Sequence, residues 1–306
     1  RLAAAGFVPL GAHIGEFCPI TLASLHAFQT ARGVRVADGC DLDCWKALVE
    51  ATWRLGDRLL VLTSPNLRGD DVAELQSRLN RLGFDCGRVD GIFGPRTAQA
   101  LADFQVNCGL GPDGVCGAHT VRMLERVIGQ TGTGPGIGAV REREQLRQAS
   151  SDLSTLRVVV GQFGGLSTIA RLASRDLRQL GATVVPLDEP DPITQARAAN
   201  QFGAHAYLGL DGVVGERTCV TFYRVPTFES VGGRTLAECL TNELSRCGLD
   251  LDEPVGMRLP VLRETKMPAV LCSFAPVRTA VDAAPAIGAA IGRALHTWMR
   301  VWTLIA

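Results

Sequence analysis

Apolar residues recur at two periods along this chain, and the period changes once. Up to about residue 128 they fall three or four apart: Leu22, Leu25 and Phe28; Leu75, Leu79 and Leu82; Ala98, Leu101 and Phe104; Val121 and Leu124. That spacing lines one face of a helix. From Arg157 onward, short continuous apolar runs alternate with helical stretches. The pattern predicts a strand at Val158–Val160, then a helix near Leu166–Leu180 on Ile169, Leu172, Leu177 and Leu180, closed by Gly181. A strand at Thr183–Leu187, a helix near Ile193–Phe202 and a strand at Ala206–Leu210 follow. Cys219–Tyr223 is strand-like, Leu236, Leu240 and Leu244 mark a helix, and Ala269–Phe274 is a buried strand before a terminal helix from about Ala286. Strands alternating with helices predict a mostly parallel sheet covered on both faces.

The helical half repeats. Gly15–Gln29 matches Gly91–Gln105 at an offset of about 76 residues, with Phe, Pro and Thr at the same places and a Phe-Gln close. Upstream, Ala5-Gly6-Phe7 parallels Leu82-Gly83-Phe84, and downstream Gly39-Cys40 parallels Val115-Cys116. Pro19 and Pro95 suit a first helical turn, where a missing N–H costs nothing. A third helix is expected over His119–Val127. The reading is two small all-α three-helix modules, 1–62 and 66–128. A linker over 129–155 follows, with a Gly/Thr/Pro stretch at Gly129–Gly138 and a charged run at Arg141–Gln148, and then an α/β domain over 156–306. The first module is expected to be truncated, because the chain starts at Arg1 rather than Met.

Charge excludes more than it suggests. Thirty-one basic residues balance 31 acidic ones, and no basic, aromatic-interleaved stripe appears, so nucleic acid is set aside. Arg293, His296 and Arg300 interrupt the apolar end of the chain about once per turn, which predicts an amphipathic helix rather than a membrane span. Ten cysteines permit a disulfide framework, but the pattern argues for reduced thiols in a reducing compartment. Cys239 and Cys247 sit about 12 Å apart if one helix carries both. Cys272 lies in an apolar strand, and Cys40 and Cys44 have neither a CxxC pair nor a histidine at zinc spacing.

The stretch most suggestive of a site is Arg157–Gly165, RVVVGQFGG, an apolar strand leaving into a glycine-rich turn. Gly161–Gly165 is neither a G-x-G-x-x-G nor a Walker sequence, so a phosphate cradle is disfavoured. A Cys272 nucleophile beside Ser273 has no histidine in its region.

Two resemblances give these patterns a context. Leu75–Gln105, with its L-G-F, D-G-x-F-G-P-x-T and F-Q elements, resembles the peptidoglycan-binding module of bacterial cell-wall hydrolases. That resemblance implies a glycan- or stem-peptide-binding loop at Asp90, Gly91 and Phe93. In the first copy Ile14 stands in the place of Asp90 and Cys18 in that of Gly94, so a scaffold or docking role is expected there. The second half, through A-R-A-A-N at Ala196–Asn200, the strand Ala206–Leu210 and P-A-V-L at Pro268–Leu271, is similar to the zinc-dependent type 3 N-acetylmuramoyl-L-alanine amidases. Such enzymes hold zinc by two histidines and a glutamate, and a further glutamate acts as base. The resemblance places Phe163 at the first histidine, Asp211 at the second and Ser273 at the catalytic glutamate. No acidic residue between Asp152 and Asp176 can supply the helix-borne ligand, and the register of His205 points it away. One carboxylate cannot replace three ligands, so zinc binding and amide hydrolysis are expected to be lost and no cofactor is expected.

Tandem modules before a degenerate amidase domain resemble amidase-like regulators of peptidoglycan synthesis in actinobacteria. The resemblance implies a cytoplasmic protein, phosphorylated by a membrane Ser/Thr kinase, that stimulates the UDP-N-acetylglucosamine enolpyruvyl transferase MurA. An FHA-domain protein and the lipid II flippase are further implied partners. It places the regulatory phosphothreonine in a tail after the amidase-like domain. The alternative is an exported peptidoglycan-binding protein or an active amidase.

Overall fold

The computed structural model describes residues 1–13, 15–128, 153–225 and 228–304. The described residues form two compact units, one of residues 1–128 together with Phe228 and one of residues 153–225 and 229–304.

The first unit is helical. Helices α1 (Pro19–Arg32) and α2 (Leu42–Glu50) make the first copy; α3 (Asp70–Arg81), α4 (Pro95–Asn107) and α5 (Ala118–Ile128) make the second. The second copy has the three helices expected, with Val72, Leu75, Leu79, Phe93, Leu101, Phe104 and Leu124 packed into one core. The first departs from the expectation of three, since the residues described before Pro19 form turns rather than a helix. The core of Leu25, Phe28, Val34, Cys44 and Leu48 is built on these two helices and the turns before them, with Leu2, Ala5 and Phe7 packed against it. The exposure of aligned phenylalanines records this difference: Phe93 is 0% exposed, and Phe17 is 60% exposed.

The boundary expected at residue 62 also moves. Leu60 is fully buried in the second core and exchanges backbone hydrogen bonds with Cys116, at 3.2 and 2.8 Å. Arg58 holds the buried Asp71 carboxylate at 2.7 and 3.1 Å, so the stretch before residue 62 already belongs to the second copy. The linker expected over 129–155 and the charged run at Arg141–Gln148 lie outside the described residues up to 152. Leu153–Thr155 is instead a 3-10 turn, and Leu153 is buried in the core of the second unit.

That unit is an α/β sandwich of the expected kind. Its strands are β1 (Arg157–Gln162), β2 (Thr183–Asp188), β3 (Ala206–Gly212), β4 (Cys219–Val225), β5 (Phe228–Glu229), β6 (Val255–Met257) and β7 (Ala269–Phe274). Phe228, of the first unit's short segment, opens β5. They run in the order β2-β1-β3-β7-β4-β5, and β6 pairs β4. Every pairing from β2 to β7 is parallel, and β4 runs antiparallel to β7. Both faces are covered, so β1 reads as a continuous apolar run, Val158–Val160 being fully buried.

Helices α6 (Ser167–Gln179), α7 (Pro192–Phe202), α8 (Val231–Leu244), α9 (Pro260–Glu264), α10 (Val277–Asp282) and α11 (Ala284–Leu304) complete the unit. Local signals start and stop them. Asp191 caps α7 by accepting from the Thr194 N–H at 2.8 Å, Pro192 opens the first turn, and Gly203 ends the helix at φ 66°. Helix α11 buries Ile287, Ile291, Leu295 and Trp298, while Gly292 brings it so close to the residue that caps α6 that a Cβ would stand 3.0 Å from Leu180 Cδ1. Among the described residues no helix is long and apolar enough to cross a membrane. Cys239 lies on α8 and Cys247 on a separate 3-10 turn, Ser245–Cys247, rather than on one helix as expected.

Candidate functional site

The carboxyl ends of β1, β3 and β7 meet on neighbouring strands. Asp211 is the register partner of Ser273, Gln162 of Leu210, and the Phe163 N–H donates to the Leu210 carbonyl at 3.1 Å. Phe163, Asp211 and Ser273 therefore stand at neighbouring strand ends, each half-buried. Cys219, on β4, is paired with Ser273 on the other side and extends the row.

Beneath this row lies a buried polar network that sequence reasoning missed. Gln195 is fully buried; its Oε1 accepts from the Tyr207 hydroxyl at 2.7 Å and its Nε2 donates to the Gln162 carbonyl at 2.9 Å. Gln162 in turn donates to Asp188, and its Oε1 accepts from the Gly164 N–H at 3.0 Å and the Leu166 N–H at 3.4 Å. The glycine turn is thus held by a side chain of the strand that precedes it. Gly164 and Gly165 take φ of 132° and 72°, which glycine adopts at least cost. Gly161 is required by crowding: a Cβ there would stand 1.8 Å from Gln195 Oε1. Burial drives the Tyr207 phenol well above its ordinary range, so it remains a donor. The signal for this network was the alternation of Gly161 with Gln162 in an otherwise apolar strand.

The row does not fit zinc. Such an ion needs three protein ligands carrying lone pairs of nitrogen, sulfur or carboxylate oxygen. Phe163 presents a ring, Ser273 a neutral hydroxyl, Asp211 the one carboxylate and Cys219 one thiol, which makes two donors at most. Helix α6 carries a single acid, Asp176, in its last turns, where it pairs with Arg175 at 2.9 Å. Among the described residues, no three His, Cys, Asp or Glu side chains are disposed to hold a metal. Val277 closes over the strand ends, 3.2 Å from where a Cβ on Gly212 would stand. His205 lies at the opposite end of β3, where Nδ1 accepts from the Arg157 N–H at 3.3 Å; it is exposed, as expected.

In the helical unit the proposed ligand loop turns out to be held from within. Gln76 Nε2 donates to Asp90 Oδ1 at 2.9 Å, to the Ile92 carbonyl at 3.1 Å and to Thr97 at 3.1 Å, while its Oε1 accepts from the Gly91 N–H at 2.8 Å. Asp90 Oδ1 also accepts from the Ile92 N–H at 2.8 Å. Phe93 is wholly inside the core and offers no surface to a ligand, which corrects its place in the expected binding loop. The same latch recurs twice. Gln105 Nε2 donates to Asp113 at 2.7 Å and to the Val115 carbonyl at 3.1 Å, and Gln29 Nε2 donates to the Gly39 carbonyl at 3.1 Å. The Phe-Gln close of each repeat was the visible sign of the latches at Gln29 and Gln105, and Gln76 carried no such sign. Ile14, the counterpart of Asp90, lies outside the described residues.

Comparison with known proteins agrees with this architecture. Residues 68–124 match the family described as "Putative peptidoglycan binding domain". The helical modules and the sheet together make this a peptidoglycan-related, amidase-like protein. Over 280 residues the chain is 32% identical to the N-acetylmuramoyl-L-alanine amidase CwlM of Mycobacterium tuberculosis, covering 81% of this chain and 68% of that protein. The chain belongs to the CwlM family. The helical module is also 55% identical over 56 residues to a spore cortex-lytic enzyme of Bacillus cereus, covering 18% of this chain and 22% of that protein. The solved N-acetylmuramoyl-L-alanine amidase AmiC2 of Nostoc punctiforme aligns over 47% of this chain and 97% of its own, at 16% identity and a TM-score of 0.41.

Proposed function

We propose that this chain is a non-catalytic member of its family that regulates peptidoglycan precursor synthesis through protein contacts. One observation carries the reading: at the strand ends where the resemblance puts the zinc ligands and the base, the chain presents Phe163, Asp211 and Ser273. The resemblance to actinobacterial amidase-like regulators supports the rest. The chain, once phosphorylated by a membrane Ser/Thr kinase, activates MurA; an FHA-domain protein and the lipid II flippase are further partners. A cytoplasmic setting is supported by the ten free cysteines.

The test is the rate of enolpyruvyl transfer by MurA with and without the kinase-phosphorylated full protein. A rise in rate supports the regulator; an unchanged rate removes its main support. A second reading, an exported wall binder or amidase, is favoured by the peptidoglycan-binding match at residues 68–124. It requires sedimentation with insoluble peptidoglycan or cleavage of muramyl peptides.

A further inference from the structure

The first repeat carries a cysteine pair that the proposed function does not use. Cys40 is exposed and stands just before the N-cap of α2, and Cys44 lies in the first turn, fully buried. Between them Asp41 caps the helix, accepting from the Cys44 N–H at 2.8 Å. The Cys40 thiol in turn donates to the Asp41 carbonyl at 3.8 Å, so both cysteines are held against the same capping residue. The Cys44 sulfur also accepts from Gln29 Nε2 at 3.7 Å, and Gln29 is the side chain that holds the loop at Ala37 and Gly39. The second repeat supplies an internal comparison. Its counterparts at the repeat offset are Cys116, only 1% exposed, and Thr120, whose hydroxyl takes the contact from Gln105. A cysteine pair with one accessible thiol is therefore a feature of the first repeat.

We propose that Cys40 and Cys44 form a thiol–disulfide site, which a low-molecular-weight disulfide closes into an intramolecular bridge. The exposed Cys40 thiolate attacks one sulfur of the small disulfide, and one small thiolate leaves. Cys44, its proton passed to water, then attacks the Cys40 sulfur and expels the second small thiolate. Two cysteine thiols are oxidised and one small disulfide is reduced, so no other oxidant enters. Burial pushes the Cys44 thiol up to about 12, which makes the second attack the slow step. Closing the bridge turns the Cys44 sulfur away from Gln29 and so couples the redox state to the Ala37–Gly39 loop.

Both cysteines fall on one tryptic peptide, Val36–Lys46. The folded chain is incubated with glutathione disulfide, denatured, alkylated and digested. The expected result is a Val36–Lys46 peptide alkylated at neither cysteine and lighter by two hydrogens than its reduced form, while Cys116 stays alkylated. Dithiothreitol should restore both alkylation sites. Cys44→Thr, which installs the residue of the second repeat, should trap Cys40 as a mixed disulfide with glutathione. A wild-type peptide that keeps a glutathione adduct on Cys40, or that is alkylated at both cysteines throughout, overturns the proposal without reference to any variant.

Discussion

Asp211 on β3 and Ser273 on β7 are register partners, so a carboxylate and a hydroxyl stand on adjacent strands at the carboxyl end of the sheet. Topology puts them there, because parallel strands in the order β1-β3-β7 bring the residues after each apolar run to one edge. What stands there has too few metal-binding groups, and the glycine turn is instead fastened by Gln162 and the network under it.

Crowding at Gly161 makes it the most sensitive position of that network. Gly161→Ala places a Cβ 1.8 Å from Gln195 Oε1 and 2.6 Å from the Tyr207 hydroxyl. A loss of about 1–3 kcal/mol is expected, as for other overpacked interiors. Urea unfolding should show a lower midpoint at an unchanged slope.

Tyr207→Phe removes the one hydroxyl that satisfies Gln195 Oε1, leaving a fully buried acceptor without its donor. The expected cost is roughly 1–3 kcal/mol. Gly164 and Leu166 amides should also exchange faster, because Gln195 holds the strand end from which Gln162 reaches them.

The latch in the second repeat separates a structural aspartate from a ligand-binding one. Asp90→Asn retains an oxygen for Gln76 Nε2 and the Ile92 N–H, so stability should change by less than about 0.5 kcal/mol. Asp90→Ala loses both contacts and should cost roughly 1–2 kcal/mol. Equal losses in thermal unfolding for the two variants would show that the charge, not the latch, is what the position supplies.

Alkaline pH should weaken the fold. Burial pushes the Cys86, Cys116 and Cys272 thiols up to about 12, from an ordinary value near 9. Above pH 9 the unfolded chain releases these protons and the folded chain keeps them, so unfolding is increasingly favoured. The contribution is intact below pH 9 and is lost as pH rises toward about 12. The urea midpoint, followed from pH 8 to pH 11, should fall, and Cys272→Ala should flatten that fall.

Much of this fold was legible because its elements are long or strongly patterned. Val158–Val160, Ala206–Leu210 and Ala269–Phe274 are apolar on both faces and lie close to the strands they predicted. Short elements escaped. Strand β6 has three residues and helix α9 five, too few to establish a period. The antiparallel direction of β4 could not be read, since an alternating run has the same appearance in either direction. At the strand ends, Phe163, Asp211 and Ser273 were identifiable only through resemblance, whereas Gln195 gave no local sign. Its role depends on Tyr207 and Gly161, which are adjacent in the sheet and distant in sequence. The two-helix form of the first copy was hidden for a similar reason: Phe17 and Phe93 share a motif, and only the helix packed beside Phe93 distinguishes them.

The proposed non-catalytic role requires that the row Phe163–Asp211–Ser273 carry no amide hydrolysis. The most direct measurement is release of L-alanine-linked stem peptide from muramyl peptide substrate by the purified full protein with zinc supplied. The account predicts no release above the protein-free control at any zinc concentration. Zinc-dependent release that scales with protein concentration would contradict it.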